Sequence, residues 1–223
     1  MQRVSFFRWI YLLMTNSFRF GWLCLLVKMW FDQKTVNEIV PEEYNIVKQH
    51  AIGRYIFLTH LNQVAHKVAF FALLCADLGF LKWEKASKLF QSFVIPQTTT
   101  IFVIYWAMFM KDPSLVRNPK TIEYIPENLD FLLHTAIVPA MVNELIMGRH
   151  QIKIRRSMKD SFIFLSTYCI VCISYNVSTG IWPYGFLEKL GLYKAFSILT
   201  PLYFIISFAI VPEKPTPETC KTD

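Results

Sequence analysis

Ser161-Phe-Ile-Phe-Leu-Ser-Thr-Tyr-Cys-Ile-Val-Cys-Ile-Ser-Tyr-Asn-Val-Ser-Thr-Gly180 runs for twenty residues without one acidic, basic or histidine side chain. As a helix rising ~1.5 Å per residue it covers ~30 Å, the hydrocarbon thickness of a bilayer. Just before it, Arg149, Lys153, Arg155, Arg156 and Lys159 crowd into one short loop. An uncharged run behind a basic loop is the pattern of a transmembrane helix with its cytoplasmic flank.

Outward from this stretch the pattern repeats. Apolar runs predict spans at about Trp9–Phe31, Arg54–Leu78, Leu89–Met110, Leu129–Gly148, Ser161–Gly180 and Leu192–Pro212. The composition agrees: 54% of the 223 residues are hydrophobic and 17% charged, against roughly 25% charged in soluble domains. Mean hydropathy is +0.34. The reading is an all-α, polytopic transmembrane helical bundle of about six spans. Residues 1–211 form one domain, and the Pro-rich polar tail 212–223 is expected to be disordered. Span one is interrupted by Thr15-Asn16-Ser17-Phe18-Arg19, which points to a broken or re-entrant helix. No small-residue cleavage site follows it, so it is read as retained.

The net charge of +7 does not indicate nucleic acid, because no soluble basic face interleaved with aromatics exists. Lys and Arg number twelve on the side of the termini and nine on the other. With the dense cluster at 148–161, this places both termini in the cytoplasm, in the endoplasmic reticulum or plasma membrane. Cys169 and Cys172 lie in an apolar run without a second cysteine pair, so neither metal nor cofactor is expected. The sequon Asn176-Val-Ser178 sits too close to the membrane for use.

Polar groups inside spans are expensive and mark function by default. In span two Thr59, Asn62, Gln63 and His66 fall at i, i+3, i+4 and i+7, one stripe on one helical face, with His60 and Lys67 on its flank. Span four carries one intramembrane imidazole, His134. Thr59 and His134 each lie about six residues into helices that start on the same side, so both sit roughly 9 Å deep. Blander readings exist for each. A threonine in a span bonds the carbonyl four residues back, here Tyr55; a polar stripe is helix–helix glue; Pro139 kinks span four and deprives the Thr135 carbonyl of its partner. The chemical reading is that a threonine hydroxyl becomes a nucleophile when a base takes its proton, and an imidazole at the same depth is such a base. Asp130, one turn before His134, can orient the ring, and Asn62 or Gln63 can stabilise an oxyanion. Trp182 and Tyr184, on the same side as Thr59 and His134, read as an interfacial aromatic belt in preference to the alternative, a substrate mouth.

The chain has no Gly-x-Ser-x-Gly, His-Glu-x-x-His or P-loop. It does have Phe57-Leu58-Thr59 leading to Ala76-Asp77-Leu78, then Leu133-His134-Thr135-Ala136-Ile137-Val138-Pro139 with Asn143-Glu144, then Ser178-Thr179-Gly180-Ile181-Trp182-Pro183-Tyr184-Gly185-Phe186-Leu187-Glu188. From about Gly53 to the end of span six these blocks resemble the androgen-induced and androgen-dependent family of small multi-pass membrane proteins. The resemblance implies a threonine hydrolase of fatty acid esters of hydroxy fatty acids that spares glycerolipids, with the family Thr on Thr59 and the family His on His134. The match is poor over the first fifty residues, and Asn62 stands where relatives carry an acid.

Two classes of function follow. One is an intramembrane ester hydrolase acting on a lipid that enters from the bilayer. The other is a non-enzymatic lipid-binding or regulatory protein, or a polar pathway along the span-two stripe. Spans three and five read as largely apolar, which disfavours a pathway.

Overall fold

The computed structural model describes residues 6–41, 53–116, 124, 126–150 and 154–209. The expected tail at 212–223 lies outside them. Among the described residues the regular structure is helical, and seven segments organise it. These are α1 (Phe6–Ile39), α2 (Leu58–Asp77), α3 (Trp83–Lys111), α4 (127–147), α5 (Ile154–Thr179), the short α6 (Gly185–Leu190) and α7 (Leu192–Ala209). Helices α1, α3, α4 and α5 are long and apolar enough to cross a membrane. Helices α2 and α7 coincide with the second and sixth expected spans. The hydropathy windows of α1 and α5 are only 17% and 22% buried within the protein. Their outer faces carry exposed Trp9, Leu13, Phe20, Phe162 and Ile170, side chains suited to lipid.

Span one is not broken. Helix α1 runs through Thr15-Asn16-Ser17 because the Thr15 hydroxyl donates back to the Tyr11 carbonyl at 3.0 Å. Arg19 is 1% exposed. Its Nε and Nη2 clasp the Glu144 carboxylate at 2.7 and 2.8 Å, and Nη1 donates to Asp77 at 2.5 Å. Asp77 also accepts from Arg149 at 2.7 Å. Glu144 accepts from His150 Nε2 at 2.8 Å, Ser87 bonds His150 Nδ1 at 2.8 Å, and Gln91 donates to Ser87 at 2.7 Å. This chain of polar groups joins α1, α2, α3, α4 and the loop after α4 at the end of the bundle that holds the C-terminus of α2. Around it pack Leu26 and Met29 of α1, Phe70 and Leu73 of α2, Phe90 and Val94 of α3, and Met141 of α4.

Two helices widen to π geometry, at Phe90–Val94 in α3 and at Leu132–Ala136 in α4. Each stretch precedes a proline, Pro96 or Pro139, that has no N–H for the carbonyl four residues back. The carbonyl opposite Pro96 belongs to Ser92, and it accepts from the Ser161 hydroxyl of α5 at 2.8 Å. Pro139 therefore does more than kink span four: the turn before it carries His134.

A buried charge left without its partner costs about 3–5 kcal/mol, whereas an exposed i,i+4 pair contributes about 0.3–0.5 kcal/mol. Arg19→Ala is expected to lower unfolding stability in detergent severely. Lys28→Ala, which removes the exposed pair with Asp32, is expected to leave it nearly unchanged.

Candidate active site

The first turn of α2 has no side-chain cap. Two tyrosines do that work. The Leu58 N–H donates to the Tyr184 hydroxyl at 2.8 Å, and the Tyr168 hydroxyl donates to the Ile56 carbonyl at 2.9 Å. Helix α2 is thereby fixed to α5 and to the segment before α6, and Thr59 stands in that fixed turn. Across from it the π-helical turn of α4 presents His134. Thr59 Oγ1 and His134 Nε2 are 3.3 Å apart.

His134 Nδ1 lies 2.9 Å from the Asp130 carbonyl oxygen. A carbonyl only accepts, so Nδ1 carries the proton and Nε2 is left with its lone pair toward the Thr59 hydroxyl. The Asp130 carboxylate sits 3.4 Å from Nδ1 and accepts from the Tyr105 hydroxyl. The Tyr105 ring stacks on the imidazole, with centroids 3.6 Å apart and planes 9° apart. Backbone, carboxylate and ring together leave His134 one orientation. The local bond of Thr59 to Tyr55, the bland alternative, is not made: the hydroxyl partner is His134.

Thr59 and His134 both line a partly open cavity of about 110 Å³. Its wall is mostly aliphatic and aromatic, with the hydroxyls of Thr100, Tyr105, Tyr168, Tyr184 and Tyr203 among its polar groups. No Lys or Arg is among its lining residues. Asn62 and Gln63 are buried at 0% and 2% exposure but do not line it. Asn62 Oδ1 instead accepts from Thr98 at 3.3 Å, and its backbone carbonyl bonds His66 Nδ1 at 3.0 Å. The stripe thus divides: Thr59 faces the cavity, while Asn62 and His66 join α2 to α3. Span three is less apolar than it reads, since Gln97, Thr98, Thr99 and Thr100 are all buried. Tyr105 and Tyr168 were not singled out for the site by sequence, and Tyr184 reads first as a belt residue. The available signal was that a phenol in an apolar helix must find a hydrogen-bond partner. Tyr184 lines the cavity rather than joining an outer belt, and Trp182 packs half-buried against the Phe186–Leu187 cluster.

Over the cavity, α6 is fastened to the turn Pro113–Leu115. Lys189 Nζ donates to Asp112 Oδ2 and Ser114 Oγ, each at 2.8 Å. A Cβ on Gly185 would stand 2.6 Å from the Ser114 carbonyl oxygen, so only glycine allows this approach. The Lys189 ammonium and Ser114 hold the Asp112 carboxyl down to a pKa of about 2. A depressed carboxyl stabilises the fastened form above the ordinary aspartate range, and that contribution is lost as pH falls toward 2.

Residues 14–212 match the family model described as FAR-17a/AIG1-like protein. Among curated relatives, the androgen-dependent TFPI-regulating protein of Homo sapiens is 28% identical over 202 residues, covering 83% of each chain. Its Mus musculus counterpart is 28% identical over 199 residues, 82% of this chain and 81% of the relative. The androgen-induced gene 1 protein of Homo sapiens is 27% identical over 158 residues, 62% of this chain and 66% of the relative. No solved structure matches. Carboxyl titration by NMR is expected to give Asp112 a midpoint near 2 in the natural chain and a higher one in Lys189→Met, still below the ordinary aspartate value of about 3.9 because the Ser114 N–H and hydroxyl continue to donate to the carboxylate.

Proposed function

The chain belongs to the FAR-17a/AIG1-like family, and on that premise we propose that it is an intramembrane hydrolase of lipid esters with Thr59 as nucleophile and His134 as base. The observation that carries this reading is the 3.3 Å contact between Thr59 Oγ1 and the unprotonated ring nitrogen of His134, whose other nitrogen is engaged by Asp130, inside an apolar cavity. Structural glue does not require an imidazole tautomer aimed at a hydroxyl on a cavity wall.

The substrate class follows from the resemblance of the sequence: fatty acid esters of hydroxy fatty acids. The apolar wall suits acyl chains arriving sideways from the bilayer. As Thr59 Oγ bonds to the ester carbonyl carbon, its proton passes to His134 Nε2 and the carbonyl π electrons move to oxygen. The tetrahedral intermediate collapses, the bond to the hydroxy acid's oxygen breaks, and the imidazolium returns the proton to that oxygen. A water, deprotonated by the same nitrogen, then adds to the acyl-threonine carbonyl; the bond to Thr59 Oγ breaks, the imidazolium returns its proton to Oγ, and the fatty acid leaves. Asp130 and Tyr105 act as positioning residues that stabilise the imidazolium as it forms. In the bilayer we place six spans, with both termini on the cytoplasmic side of the endoplasmic reticulum or plasma membrane. The lipid substrate is the partner, and no cofactor takes part.

The TFPI-regulating relatives favour the regulatory form of a second reading, a non-enzymatic lipid-binding or regulatory membrane protein. Membranes carrying matched amounts of each variant separate the two. The natural chain is expected to cleave a branched fatty acid ester of a hydroxy fatty acid and to spare triacylglycerol. Thr59→Ala and His134→Ala are each expected to lose at least about a thousandfold in rate, with a smaller loss for Asp130→Asn. Full activity in Thr59→Ala, or an inactive natural chain, moves the regulatory reading to the front.

A further inference from the structure

A tetrahedral oxyanion formed in an apolar cavity needs a hydrogen-bond donor already in place. Asn62 and Gln63 lie outside the cavity wall, and no Lys or Arg is in it. Resting on the hydrolase reading above, we propose that the Tyr184 hydroxyl is the oxyanion donor, hydrogen-bonding the ester oxygen as Thr59 adds to the carbon.

Three observations support this assignment. The first is position. The Tyr184 oxygen is 2.8 Å from the backbone nitrogen of Leu58, the residue before the nucleophile, and both Tyr184 and Thr59 line the cavity. The second is the hydrogen count. The oxygen accepts the backbone N–H groups of Leu58 and Thr59, and the Tyr168 hydroxyl stands 3.5 Å away. Tyr168 spends its own hydrogen on the Ile56 carbonyl. At 3.5 Å the Tyr168 oxygen holds the Tyr184 hydrogen only weakly, so the Tyr184 O–H can turn to the cavity, and the N–H donated into its oxygen at the positive end of α2 makes it a stronger donor. The third is rigidity. The Tyr184 ring is stacked on Phe186, with centroids 5.2 Å apart, and meets the edge of Phe57 at 5.7 Å. Burial raises the phenol pKa above its usual value, which keeps it protonated. No covalent bond to Tyr184 forms or breaks. It donates one hydrogen bond that is short only while the oxygen carries charge.

The test uses the purified full chain in lipid-containing micelles with a fatty acid ester of a hydroxy fatty acid and the matching thionoester, in which sulfur replaces the carbonyl oxygen. Sulfur accepts hydrogen bonds poorly, so the natural chain is expected to prefer the oxygen ester. Tyr184→Phe is expected to lower kcat on the oxygen ester by about 10²–10³-fold, to leave KM within a few-fold, and to bring the oxygen-to-sulfur rate ratio toward one. A purely structural defect lowers both rates and preserves the ratio, and that result overturns the proposal. So does a full rate in Tyr184→Phe, or a ratio that collapses in Thr100→Val instead. If Tyr184→Phe does not accumulate, a trifluorinated tyrosine is placed at 184. Its more acidic phenol is expected to add an alkaline limb of lost kcat, and an unchanged pH profile overturns the assignment. A natural chain that cleaves neither ester removes the hydrolase reading and this one together. Loss of activity in Thr59→Ala with an unaltered ratio in Tyr184→Phe removes this one alone.

Discussion

Arg19 sits inside an apolar helix and is almost wholly buried. A guanidinium cannot shed its charge at any ordinary pH, so it must be matched wherever it is placed. Here its planar fork takes Glu144 bidentately and reaches Asp77 with the remaining nitrogen. Those two acids belong to α4 and α2. Satisfying one arginine therefore fixes the relative depth and rotation of three helices. Gly148 leaves the room this requires, since a Cβ there would stand 2.3 Å from the His150 ring that completes the cluster.

The Thr59–His134 geometry at the other end of the bundle inherits that register. Thr59 and Asp77 are eighteen residues apart on α2, about 27 Å along one rigid rod. His134 and Glu144 share α4. A rod held at one end by charge pairs and at the other by two tyrosine hydroxyls cannot slide by a turn without breaking both. The π-helical turn before Pro139 adds the local adjustment that aims the imidazole. Such single-turn widenings occur often at functional sites, because they rotate one side chain without unwinding the helix. Division of labour follows: the polar cost of membrane burial is met at one end, and the other keeps a mostly apolar cavity around Thr59 and His134.

Much of this was legible in the chain before any fold was known. Twenty uncharged residues at 161–180 admit few structures other than a span. The depth of Thr59 and His134 follows from counting residues, because helical rise is constant. Their contact does not, since depth leaves rotation about each axis open. Arg19 was misread for a related reason. A polar interruption looks like a break when its partners, 58 and 125 residues away, are unseen. The buried polar run Gln97–Thr100 of α3 was hidden by its apolar surroundings, as threonine weighs little in any hydropathy reading.

The sequence by itself determined the solvent of this protein and the vertical position of its chemistry. Both depend on quantities that are local and additive along the chain: the transfer cost of each side chain and the rise of each residue. Tertiary structure decided which polar residues face one another. Asn62 shares the stripe with Thr59 but turns to Thr98 of α3, while Tyr105, Tyr168 and Tyr184, drawn from three separate segments, converge on the cavity. That sorting is set by helix rotation, by a proline-induced change of turn and by charge pairing between distant segments, none of which is a property of any one stretch of residues.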